Sequence, residues 1–222
     1  AATALESIIG CAGERCLAGS VIVNVGRETY DKMSEKIYPL AQNIRVGDGQ
    51  DPKTQMGPLI SKAAKERVLG LIETALKEGA TMILDGRKGV ESLRGYFLKP
   101  TILGGIRPEM QIAQEEVFGP VVLLAQVDHF DQAIQWINSS KYANTATLFT
   151  TSGAAARKFS YEVDPSMIGI NIGVPAPMSF FSFGGSKDSF LGDIKAHGKD
   201  GVRFFTDSKV TIHRWISESN IW

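Results

Sequence analysis

This 222-residue sequence predicts an α/β fold, a largely parallel sheet with flanking helices, on three observations. Short β-branched apolar runs alternate with amphipathic helical stretches along most of the chain, the order expected of βαβ units. The runs "VIVNV" (Val21 to Val25) and "VVLLAQV" (Val121 to Val127) are short enough for buried strands. Apolar residues make up 43% and charged residues 22%, as in a globular chain with a sizeable core.

The elements follow in order. "AATALESIIG" is already in helical rhythm, with Leu5, Ile8 and Ile9 on one face, and predicts an opening helix to about Cys11 that breaks in "AGER". The strand at Val21 to Val25 comes next. Residues 28–43 read as a helix carrying Tyr30, Met33, Ile37 and Leu40, with Pro39 weakening its last turn. Gly47, Gly49, Pro52, Gly57 and Pro58 mark a loop. The clearest helix spans 61–78. Ser61 is its N-cap, Val68, Leu71, Ile72, Ala75 and Leu76 form its apolar stripe, and Gly79 takes the C′ position.

"TMILDG" reads as a strand entering a turn. Strand 121–127, helix 131–138, strand "TATLFT", helix 154–161 and strand "MIGIN" continue the alternation. The glycine- and serine-rich "SFFSFGGSKDSFLGD" changes the character of the chain. "GVRFFTDSKVTIHRW" then reads as an extended arm with Phe204, Val210 and Ile212 in a strand pattern, an unpaired edge that seeks a partner.

Composition excludes several function classes. Twenty-four basic residues balance twenty-four acidic ones and no basic block occurs, so nucleic acid is not an expected partner. No apolar run is long enough for a helical membrane span. Two cysteines make no disulfide framework and favour a reducing compartment, the cytoplasm or the mitochondrial matrix. The start without methionine, in mid-pattern, predicts the C-terminal portion of a longer protein.

Three clusters carry candidate chemistry. In "GCAGERCLAGS", Cys16 follows Arg15 among small residues. A cysteine works as its thiolate, which a cation or a helix N-terminus favours, and "LAGS" reads as the start of another helical turn. Spacing alone leaves Cys16 open between nucleophile and inert buried thiol. Cys11 reads as a small buried residue at a helix end. A zinc half-site is excluded because His129, His197 and His213 lie far off without ligand spacing. In "QEEVFGPVV", adjacent Glu115 and Glu116 on a β-like segment point to opposite faces, and Phe118 offers an aromatic face. In "SFGGSKDS", Gly184 and Gly185 lack the spacing of a phosphate loop.

Taken together the clusters resemble the aldehyde dehydrogenase superfamily. "GERC" is similar to its nucleophile motif, Gly-Gln/Glu-x-Cys, "EEVFGP" to its cofactor-ribose motif, and "FSFGGSKDS" to its C-terminal Phe-Gly-Gly turn, all in the family's order. Arg15, "NIGVPAPM" and "FLGDIKAHGKDGVRFFTDSKV" are most similar to its methylmalonate-semialdehyde dehydrogenase group.

The resemblance implies a Rossmann-like catalytic domain over 1–183, a C-terminal return segment and oligomerisation arm over 184–222, and an NAD-binding half outside this chain. It implies Cys16 as nucleophile, Arg15 as the substrate-carboxylate ligand, Glu116 on the nicotinamide ribose and Phe118 beside the nicotinamide. A guanidinium offers a planar fork to a carboxylate. The implied reaction oxidises malonate or methylmalonate semialdehyde with NAD through a Cys16 thioester. Carbon dioxide is lost and coenzyme A takes the acyl group.

A homo-oligomer, dimer or tetramer, is implied for the whole enzyme. The alternatives are a hydrolysing NAD(P)-dependent dehydrogenase of another aldehyde, and a chain that alone neither binds NAD tightly nor turns over. By the same resemblance, Ser186 stands where close relatives often have a tryptophan or tyrosine.

Overall fold

The computed structural model describes residues 1–215. The end of the predicted 184–222 segment, 216–222, lies outside them. Its main sheet has four strands: β1 (Val21–Val25), β2 (Thr81–Leu84), β3 (Thr101–Ile106) and β4 (Val121–Val127), in the order β1-β4-β3-β2. β4 runs parallel to both β1 and β3, and β2 pairs antiparallel on the edge. The predicted largely parallel α/β sheet is therefore present. Val121 to Ala125 are fully buried, as expected of a central strand covered on both faces.

α1 (Ala2–Ile9) and α2 (Arg27–Gln42) pack against this sheet and α3 (Lys62–Lys77) closes its core. Ser61 caps α3 by accepting from the Ala64 N–H at 3.1 Å. Val68, Leu71, Ile72 and Ala75 are buried, and Gly79 has φ 99°, so the sequence pattern is realised almost residue for residue. The one polar residue deep in β1, Asn24, is satisfied by donating to Ile22 and Ala125 carbonyls at 3.2 and 3.0 Å.

β3 is absent from the sequence-derived elements because Gly104 and Gly105 depress strand propensity. Both glycines have a structural reason. A Cβ on Gly104 would stand 2.6 Å from the Tyr30 hydroxyl and 2.7 Å from Ile83. Gly105, at φ 67°, sits where the register with β4 shifts, a bulge.

After the short α4 (Gln111–Gln114) and β4 come α5 (Phe130–Ser139), β5 (Tyr142–Ala143), β6 (Thr145–Leu148), α6 (Gly153–Glu162), β7 (Met167–Ile170), β8 (Ser186–Lys187) and α7 (Gly198–Phe204). β6 and β7 form a separate parallel pair, and β5 pairs antiparallel with β8. Ile134, Phe159 and Val163 make a second, smaller core beneath β6 and β7.

Four local expectations are corrected. The opening helix stops at Ile9, and Gly10–Gly13 form a tight 3-10 turn. No helix follows Cys16; its residues make a turn closed by the Ala18 N–H on the Arg15 carbonyl at 3.1 Å. Cys11 is exposed rather than buried, because a left-handed φ of 54° turns the chain away from the helix axis. The start of the predicted extended arm is helical, α7, and 205–215 form neither helix nor strand. No strand lies beside that segment among the described residues to pair with it.

Candidate active site

The nucleophile loop begins where α1 ends. Cys11, Ala12 and Gly13 all take positive φ, at 54°, 56° and 75°. Such conformations are costly for residues with a Cβ and persist where the surroundings impose them. The surroundings here are close. A Cβ on Gly13 would stand 2.2 Å from the Gly119 carbonyl oxygen, so the "GERC" loop lies directly on the "EEVFGP" loop. Glu14 ties the other side, its carboxylate accepting from the Ile60 N–H at 3.0 and 3.3 Å.

Arg15 turns back onto α1. One guanidinium nitrogen donates to the Glu6 and Ser7 carbonyls in the last turn of α1, both at 3.1 Å, where a helix end leaves carbonyls short of intrahelical partners; Glu6 also accepts from the Gly10 N–H. The guanidinium covers Gly10, where a Cβ would approach within 2.5 Å. Its Nε is buried without a hydrogen-bond partner among the described residues.

Cys16 is exposed in this chain. Its backbone N–H donates to no group among the described residues. Its carbonyl accepts from Asn144 Nδ2 at 2.7 Å.

α3 holds the second loop. Arg67 donates to the Glu116 carbonyl at 3.1 Å and also to that of Val117. A Cβ on Gly119 would meet Val68 at 2.6 Å, so only glycine fits between α3 and Gly13. Glu115 and Glu116 lie in a loop beyond α4 rather than on a strand. The Glu116 side chain reaches the surface, and its carboxyl makes no hydrogen bond among the described residues. Desolvation by neighbouring protein atoms nevertheless raises its pKa, against the opposing charge of Arg67.

A carboxylate open at both oxygens fits a vicinal pair of hydroxyl donors such as a ribose presents. Phe118, at φ 46° and 37% exposed, shows part of its ring to solvent. Glu116 and Phe118 are the residues to which the resemblance gives the nicotinamide riboside portion, and both reach the surface.

The C-terminal loops complete the surroundings. Ser7 donates to the Gly173 carbonyl at 2.6 Å, seating the "NIGV" segment on α1. β8 brings Gly185 against Asn144, whose Cα would lie 3.3 Å from a Cβ there. Ser186 shares a hydrogen bond with Ser166, to which Lys195 donates at 2.6 Å. Ser186 thus belongs to a small polar network. Sequence reasoning named Arg15, Cys16, Glu116 and Phe118 but missed Asn144. Its signal was an asparagine directly before the β-branched "TATLFT" run, a residue type that strands disfavour.

A profile described as the aldehyde dehydrogenase family matches residues 1–211. The chain belongs to the aldehyde dehydrogenase family. It is 47% identical over 211 residues to the malonate-semialdehyde dehydrogenase of Halalkalibacterium halodurans, covering 95% of this chain and 43% of that one. The crystal structure of methylmalonate-semialdehyde dehydrogenase from Oceanimonas doudoroffii superposes with a TM-score of 0.94 at 39% identity, over 98% of this chain and 45% of that one. Mycobacterium tuberculosis aldehyde dehydrogenase complexed with NAD+ superposes with a TM-score of 0.85 at 32% identity, over 92% and 41%. This aldehyde dehydrogenase chain therefore spans less than half the length of the relatives it matches.

Proposed function

We propose that this chain supplies the nucleophile and its surroundings to an NAD-dependent, CoA-acylating malonate- or methylmalonate-semialdehyde dehydrogenase. The observation that carries the reading is the seating of the "GERC" loop on the "EEVFGP" loop at Gly13 and Gly119. The names of the similar proteins support the substrate class.

In this reading the Cys16 thiolate adds to the aldehyde carbon, and its free backbone N–H stabilises the oxyanion. NAD, when bound, supplies the hydride acceptor that turns the adduct into a Cys16 thioester. Glu116 orients the ribose hydroxyls and Phe118 packs near the nicotinamide. Arg15, which keeps guanidinium donors beyond those spent on α1, holds the substrate carboxylate. Loss of that carboxylate as carbon dioxide leaves the thioester enolate, which takes a proton from water to become the acetyl or propionyl thioester of Cys16. Attack by the coenzyme A thiol transfers the acyl group and frees the cysteine. The whole enzyme assembles with further copies through the exposed apolar residues of the C-terminal segment, Phe204, Val210 and Ile212 among them.

The test is NADH formation by the full-length protein from malonate semialdehyde, with and without coenzyme A. Strict dependence on coenzyme A is expected. Equal turnover without it, giving free acid, would move the assignment to a hydrolysing dehydrogenase.

A further inference from the structure

Asn144 sits at a crossing of the structure. It lies between β5, which pairs with the Ser186–Lys187 strand, and β6, which pairs with β7. Its own carbonyl accepts from the Met167 N–H at 3.3 Å, and Gly185 presses against its Cα. The backbone of Asn144 is therefore fixed from two sides. From there its Nδ2 reaches across to the Cys16 carbonyl at 2.7 Å. The rest of the Cys16 loop has few ties of its own. The Ala18 N–H closes onto Arg15 at 3.1 Å, and the Gly19 N–H meets the Ser7 hydroxyl at 3.4 Å.

We infer that Asn144 is a positioning residue for the nucleophile, a role that rests on the dehydrogenase reading above. Fixing the Cys16 carbonyl anchors the main chain at Cys16, and with it the point from which the thiol and the Cys16 N–H project toward the substrate. Asparagine suits the task because its amide is a neutral donor on a short side chain. An aspartate there would turn an acceptor toward the carbonyl, and a leucine would fill the same space without a donor.

Two readouts test this. In the full-length enzyme labelled with 13C at the cysteine carbonyls, the Cys11 and Cys16 signals are identified by their loss in Cys11→Ser and Cys16→Ser. The Cys11 carbonyl accepts from the Glu14 N–H at 3.0 Å and serves as the internal control. Asn144→Leu should move the Cys16 signal upfield, as on loss of a hydrogen bond, and leave Cys11 in place. In the full-length enzyme, Asn144→Leu and Asn144→Asp should lower kcat by about tenfold to a hundredfold with KM for the semialdehyde nearly unchanged.

An unmoved Cys16 signal, movement of both signals together, or unchanged kcat would overturn the role. A parent enzyme inactive on semialdehydes would sink the dehydrogenase reading instead. The carbonyl signal would then decide whether Asn144 positions Cys16.

Discussion

Gly13 and Gly119 meet so closely that a side chain on the first would overlap the carbonyl of the second, 2.2 Å from its oxygen. Through this contact the loop that carries Cys16 rests on the loop that carries Glu116 and Phe118. Val68 of α3 closes the stack from the far side, 2.6 Å from where a Gly119 Cβ would lie.

Gly13→Ala should therefore be severe. The substitution adds a steric overlap to a left-handed φ of 75°, and we expect a stability loss of about 2–4 kcal/mol in urea unfolding. Alanine at Gly26 is the comparison, because that residue also has a positive φ of 83° but nothing lies within 4 Å of its Cβ position. It should cost only the backbone term, about 1 kcal/mol.

Arg15 is committed to the end of α1 by its bonds to Glu6 and Ser7. Arg15→Gln should lower stability by about 1 kcal/mol, because the last turn of α1 loses a charged donor to one exposed and one part-buried carbonyl. If Arg15 also holds the substrate carboxylate, KM for malonate semialdehyde should rise by about tenfold or more in the full-length enzyme, with little change toward an uncharged aldehyde. A uniform loss with every aldehyde would assign Arg15 a structural role alone.

The Glu116 carboxyl is desolvated, so its pKa in the folded chain lies above the unfolded value. The folded state then binds the proton more tightly, and stability falls as pH rises through the unfolded carboxylate range toward the folded pKa. Glu116→Gln removes that penalty. Its melting temperature should exceed the parent's at neutral pH, and the difference should vanish at pH values below the ordinary carboxylate range. Solvent reaches the side chain, so the gain should stay well under about 1 kcal/mol. A larger melting advantage at low pH than at neutral pH would contradict the desolvation account.

The regular parts of the fold were legible wherever one period dominated. The cap, stripe and terminal glycine of 61–78 became α3, and the apolar run 121–127 became the central strand. β3 was not legible, since its Gly104 is required by Tyr30 and Ile83, residues contributed by other elements. The conformation of Cys11 was hidden for a similar reason. The positive φ of Cys11 belongs to a loop whose Gly13 meets Gly119, a contact between distant segments for which local sequence has no signal. The motif residues were legible through order and type, while Asn144 becomes meaningful only when the chain brings it to Cys16.

The most direct test of Cys16 as the nucleophile is to catch the thioester. The full-length protein would be incubated with malonate semialdehyde and NAD without coenzyme A, then digested with trypsin. Cleavage after Arg15 places Cys11 and Cys16 on different peptides, although both thiols are exposed. The account predicts an acetyl group on the peptide beginning at Cys16, absent in Cys16→Ala and removed by adding coenzyme A. Acetylation at Cys11, or NADH formation undiminished in Cys16→Ala, would contradict it.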